Sequence, residues 1–287
     1  MIRVGTRASA LALAQAGWVA GLIGDAELVT VTTSGDRGEA LRDKSRWTST
    51  LERALLEGEI DVAVHSAKDV PGELAEGTAI VAVPARAAAL DALCGAADLA
   101  VIQAGSRIGT SSIRRTAQLR AIRDDIEVVE LRGNVDTRLR KLEDGEVDAV
   151  VLAQAGLIRL GREREIGCLL DTLVPAPGQG ALLLQARTGD ERTRRLNDPD
   201  AERCVAAERA LAGALHATCN TPLGANATLA TGDQVTLRGW IGVPDGSRWI
   251  SDELTAPSAE VGVLLAKRMR SVGADELLAQ AERMATV

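Results

Sequence analysis

The chain has 287 residues, 46% apolar and 25% charged, with a net charge of −7, a composition that suits a globular protein of two or three domains. It holds no run of about 18 apolar residues, which excludes a membrane-spanning helix, and its start reads as a strand rather than a secretory leader, so a cytoplasmic protein is expected. Four widely spaced cysteines and two histidines predict neither disulfides nor a metal site, and with no Phe, no Tyr and only four Trp the chain is poor in the stacking platforms that single-stranded nucleic acid requires.

In chain order, Ile2 to Gly5 reads as a strand, and Ser9 is placed to cap a helix running to about Leu22. Glu27 to Thr32 is a second strand, and Ser49 with Glu52 has the spacing of a capping box for a helix through Leu56. Ile60, Val62 and Val64 then form a short buried strand that runs into His65, Ser66, Lys68 and Asp69, with Pro71 blocking a longer helix. A carboxylate beside an ammonium at the carboxyl end of a strand is a candidate site in an open α/β sheet.

The same order returns further along. Arg107 to Gly109 is a strand, Thr110, Ser111 and Ser112 are available to cap a helix to Arg123, and a strand, a helix and a strand follow through Leu152. Gly58-Glu59-Ile60-Asp61 is echoed by Gly145-Glu146-Val147-Asp148, and Gly5-Thr6 by Gly109-Thr110. These echoes predict two similar hinged α/β lobes of the periplasmic-binding-protein kind, crossed at Pro84–Asp91 and Pro175–Gly180, with a ligand in the cleft. After Pro199 a helix, three short strands and further helices predict a small C-terminal α+β domain. The expected division is 1–86 with 178–199, 87–177, and 200–287.

Arginine outnumbers lysine 29 to 4, and eight arginines fall between Arg107 and Arg140 on this acidic chain. A local basic cluster of that kind points to a specific anionic ligand. The turns at Thr6–Ser9, Thr110–Arg115 and Leu131–Arg138 each join hydroxyls or helix N–H groups to arginine forks, a combination suited to carboxylates or phosphates.

His65-Ser66-Ala67-Lys68-Asp69-Val70-Pro71, Gly109 to Arg115, Leu131 to Arg138, Pro177 to Ala181 and Cys219 to Gly224 together resemble the porphobilinogen deaminase family, from Gly5 into the third domain. The resemblance implies an enzyme that condenses four porphobilinogen molecules into the linear tetrapyrrole hydroxymethylbilane with loss of ammonia. It implies a dipyrromethane cofactor held by a thioether to Cys219, and Asp69 as the catalytic carboxylate. Arg7, Ser9, Lys68, Thr110, Ser112, Arg114, Arg115, Arg132 and Arg138 are expected to meet the cofactor's acid groups. Arg7, Arg132, Arg138, Arg159 and Gln179 are expected to meet the substrate. A lid is expected to include Lys44 and Trp47, within a 37–50 segment shorter than the family's usual loop. His216-Ala217-Thr218 stands where the family commonly has Gly-Gly. A monomer without metal, nucleic-acid or membrane partners is expected. The competing reading is a two-lobed protein that binds an anionic small molecule without catalysis; it has no use for Cys219 or the third domain.

Overall fold

The computed structural model describes residues 1–31, 45–218 and 220–285. Lys44 and Cys219 lie outside the described residues, and of Trp47 only the backbone is described.

Lobe 1 is built on β1 (Ile2–Thr6), β2 (Ala26–Thr30), β3 (Val62–Ser66) and β4 (Thr78–Ala82), with helices α1 (Ala10–Ile23) and α2 (Ser45–Leu56). Lobe 2 is built on β5 (Asp91–Cys94), β6 (Arg107–Thr110), β7 (Glu127–Glu130), β8 (Ala149–Ala153) and β9 (Cys168–Leu170), with α3 (Ile113–Ile122), α4 (Val135–Glu143) and the short α5 (Gln154–Arg159). β10 (Leu182–Arg187) returns to lobe 1. The two sheets share one plan, β2-β1-β3-β10-β4 and β7-β6-β8-β5-β9. In each, the first three strands are parallel and the fourth runs antiparallel, having just entered from the other lobe.

The echoed motif has a mechanical meaning. Asp61 accepts the backbone N–H of Arg3 at 2.9 Å, and Asp148 accepts that of Arg107 at 2.7 Å. Each aspartate therefore secures the start of the strand beside it. Gly5 and Gly109 match as well: a Cβ at Gly109 would meet Leu131 Cδ2 at 2.7 Å, and one at Gly5 would run into Ile60.

The expected capping box does not open the helix, because Ser49 lies inside α2. α2 begins at Ser45, and Glu52 Oε1 instead accepts the Ala75 N–H at 3.1 Å and the Gln185 amide at 2.9 Å. Buried partners from other elements outcompete the local cap.

The third domain has α6 (Pro199–Ala214), an antiparallel sheet β11-β12-β13 (Leu223–Leu229, Gln234–Gly242, Trp249–Pro257), α7 (Val261–Ser271) and α8 (Ala274–Ala285). The Asp198 side chain caps α6, and Pro199 fits its first turn. Its core is aliphatic, with Leu211, Leu237, Leu265 and Met269 fully buried. Trp240 leaves that core and packs against Ala117 and Val174 of lobe 2.

Both crossings meet the third domain at one carboxylate. Glu208 of α6, fully buried, accepts Arg86 Nη1 at 2.7 Å from the first crossing and the Gly178 N–H at 2.6 Å from the second. It also accepts the Ala227 N–H of β11 at 2.7 Å.

Candidate active site

β1 and β3 are neighbours, so the residues after Thr6 and after Ser66 emerge side by side at the carboxyl end of the sheet. Ser9 Oγ accepts the Ala12 N–H at 3.3 Å and starts α1, as its cap reading predicts. A single 3-10 turn, Ala67–Asp69, presents Lys68 and Asp69. That turn is held from two sides. Gly178 has φ +73°, and a Cβ there would meet Ala67 Cβ at 2.8 Å and Lys68 N at 3.1 Å, so only glycine fits. Arg209 of α6 donates to the carbonyls of Val70 at 3.0 Å and Pro71 at 2.6 Å.

Arg7 and Asp69 line one small cavity of about 50 Å³ together with Gln15, Thr48, His65 and Ser66. Gln15 Nε2 donates to Ser66 Oγ at 2.9 Å. His65 is 7% exposed, and burial pulls its pKa down to about 4, so the ring is neutral at pH 7. A larger, shallow groove of about 550 Å³ between Trp18, Leu22, Pro84 and Leu196 holds none of the expected residues.

In lobe 2, Thr110 Oγ1 accepts the Ser112 N–H at 3.2 Å at the entry to α3, while the Ser112 side chain makes no capping bond. Arg114 and Arg115 turn inward. Arg115 Nη2 donates to Asp91 Oδ1 at 2.7 Å, and Arg114 Nη1 lies 2.8 Å from Asp91 Oδ2. Gln179, 1% exposed, donates to the same Oδ1 at 2.8 Å. Burial alone would raise the Asp91 pKa; the two guanidiniums outweigh it and hold the group well below the usual carboxylate range. Two cations against one anion leave this cluster positive.

Arg138 donates from Nε to Gly133 O at 2.8 Å and from Nη2 to Ser111 Oγ at 2.7 Å, and burial, with Arg115 nearby, lowers its pKa to about 10. Arg159 Nη2 donates to Gly180 O at 2.7 Å across the second crossing, and burial lowers it likewise to about 10. Both remain cationic at pH 7. Arg132 is more than half exposed and pairs with Glu130 at 2.8 Å. The structure thus gathers Arg7, Lys68 and Asp69 at the end of lobe 1, and Arg114, Arg115 and Gln179 in a buried cluster at the crossings. The segment leading to Cys219 begins at His216, which takes φ 52° after α6.

Gln15, Asp91 and Gln185 are not marked as site residues by the pattern of the sequence, and Glu52 reads there only as a helix cap. Gln15 had a signal: it is the one polar side chain in the α1 sequence, and it is buried. Asp91 sits within the apolar run Ala87 to Leu93, another place where a charge needs a reason.

Residues 2–195 match the family described as "Porphobilinogen deaminase, dipyromethane cofactor binding domain", and residues 202–271 match "Porphobilinogen deaminase, C-terminal domain". Relatives named porphobilinogen deaminase include one from Rubrobacter xylanophilus, 47% identical over 96% of this chain and 95% of the relative. Another, from Deinococcus radiodurans, is 43% identical over 96% of this chain and 97% of its own. Among solved structures, a periplasmic substrate-binding protein from Coxiella burnetii aligns with TM-score 0.42 and 17% identity, covering 68% of this chain and 90% of that one. The two family matches and the near-full-length relatives show that this chain belongs to the porphobilinogen deaminase family.

Proposed function

We propose that Asp69 is the catalytic carboxylate of this hydroxymethylbilane synthase, and that cations from both lobes hold the acid groups of the pyrroles. The observation that carries the assignment is the shared cavity of Asp69 and Arg7 at the adjoining carboxyl ends of β1 and β3. The enzyme joins four porphobilinogens with loss of ammonia, and the covalent dipyrromethane, when bound, supplies the chain end to which units are added.

The donor set fits that group. Each pyrrole carries two carboxylates, so a chain of six rings brings about twelve negative charges, and Arg7, Lys68, Arg132, Arg138 and Arg159 are the residues proposed to receive them. Ser9, Thr110 and Ser112 add hydroxyl and N–H donors at two strand ends. Arg114 and Arg115 contribute through the positive charge left after Asp91 is neutralised, with Gln179 fixing that carboxylate. Cys219 is proposed as the thioether attachment point. Lys44 and Trp47 are proposed to close over the site.

Asp69 acts on pyrrole N–H groups. Its negative charge stabilises positive charge as it builds on a ring, and the carboxylate can take up or return a proton there. The clamps from Gly178 and Arg209 keep the turn that carries it from drifting. A monomeric cytoplasmic enzyme acting on a small molecule, apart from nucleic acid and membrane, completes the proposal; gel filtration at working concentration tests the monomer.

Asp69→Ala should lower turnover by at least about 100-fold while keeping the unfolding midpoint close to that of the parent. Near-normal turnover would sink the assignment. Intact mass is the companion measurement: the parent should exceed its sequence mass by a dipyrrole, and Cys219→Ser should not.

A further inference from the structure

His65 and Gln185 carry two orphaned atoms on one face of the same sheet. His65 Nε2 and Gln185 Oε1 are both buried without a hydrogen-bond partner. His65 pairs with Leu183 across the antiparallel β3–β10 ladder, so Gln185, two residues on, shares its face as a diagonal neighbour within reach of a long side chain. The amide of Gln185 cannot be turned round. Its nitrogen donates to Glu52 Oε1 at 2.9 Å and to Thr78 Oγ1 at 2.8 Å, and a carboxylate offers only acceptors, so the oxygen must face the other way.

An amide oxygen facing an imidazole selects its tautomer. We propose that His65 carries its proton on Nε2, donated to Gln185 Oε1, and so presents Nδ1 as a neutral acceptor at the pyrrole-binding cavity beside Asp69. The relay Glu52–Gln185–His65 runs from α2 through β10 to the cavity wall. The charged groups that face the ring are Glu52 from α2, Asp69 from the 3-10 turn and Arg7 after β1. Glu52 is already engaged by Ala75 and Gln185, and Gln185 itself favours a proton on the ring facing it. A pyrrole ring brings an N–H donor, and the cavity then offers it two acceptors of different kind: an anion for the ring that becomes positive, and a neutral nitrogen for one that does not.

The chemistry assigned to His65 rests on the cavity being the pyrrole site, but its tautomer does not. Histidine-labelled holoenzyme gives the tautomer directly by ¹⁵N NMR, with only two histidines to assign and His216→Asn to remove one signal. The expected result is an Nε2–H tautomer for His65 that stays neutral from pH 8 to pH 6. An Nδ1–H tautomer or a charged ring at pH 7 overturns the proposal. Turnover supplies the second arm: His65→Val should lose at least about tenfold more kcat than His65→Asn, which keeps an acceptor oxygen. Equal losses in the two variants overturn the acceptor role even if the tautomer holds. Should Asp69→Ala prove active while His65 shows Nε2–H, the catalytic assignment of Asp69 fails and the tautomer stands.

Discussion

His65 and Asp91 are both buried, and burial drives each toward its neutral form, yet only the histidine yields. Asp91 has two guanidiniums in direct contact, whereas the carboxylates of Glu52 and Asp69 that favour a charged His65 ring do not outweigh its burial. This difference has a sign that can be measured. The folded state holds His65 near pKa 4 against an ordinary 6.5, so it favours the neutral ring. The associated stability is complete above pH 6.5 and erodes as pH falls toward 4. Urea unfolding at pH 7 and pH 5 should therefore show the parent losing up to about 1.4 kcal/mol per pH unit relative to His65→Asn. Parallel pH profiles for the two proteins would count against a buried neutral ring.

At the scale of elements, the Asp61 and Asp148 anchors hold equivalent strands with unequal strength. Asp61 is 9% exposed and also meets Arg187 at 3.3 Å and Arg192 at 3.1 Å; Asp148 is 54% exposed, with Arg107 alone as its ion-pair partner among the described residues. Asp61→Asn should thus cost about 2–3 kcal/mol, reflecting the charged hydrogen bonds lost to Arg3 and Arg187 while Arg192 keeps Asp190, and Asp148→Asn under about 1 kcal/mol, by chemical denaturation. The echo that exposes this pair was legible in the sequence because strand starts and turns repeat locally. The parallel cores were legible too, since β3 and β8 are short apolar runs and β1 and β6 place a buried Val4 or Ile108 just before a closing Gly-Thr pair. β10 was not, because Leu182, Leu183 and Leu184 are all buried and show no alternation in the middle of a covered sheet. α5 is six residues long and starts where β8 ends, too short for a helical period to appear. In the site, the motif residues Arg7, Lys68 and Asp69 could be read from the chain, but the inward turn of Arg114 and Arg115 could not. Asp91 lies 23 positions before Arg114, and nothing local marks them as partners.

For the whole molecule, Glu208 is the point where both crossings meet the third domain. Glu208→Ala would leave Arg86 and the N–H groups of Gly178 and Ala227 without their acceptor, and should cost about 3 kcal/mol or more in global stability. The cost should appear as a lower midpoint in guanidinium unfolding; a change within about 0.5 kcal/mol would show that the junction is not energetically central. The two crossings also set an order in time. Every strand of the lobe 2 sheet lies between Asp91 and Leu170, whereas lobe 1 has β10 seated between β3 and β4. During synthesis, lobe 1 therefore keeps an open slot beside β3 until residue 187 leaves the ribosome, after lobe 2 has all its strands. A fragment of residues 87–177 should unfold cooperatively, while residues 1–86 alone should not, as circular dichroism of the two can establish. The lobe that is made first is finished last, and its Ala67–Asp69 turn, resting on Gly178, takes its final shape only when the second lobe has handed the chain back.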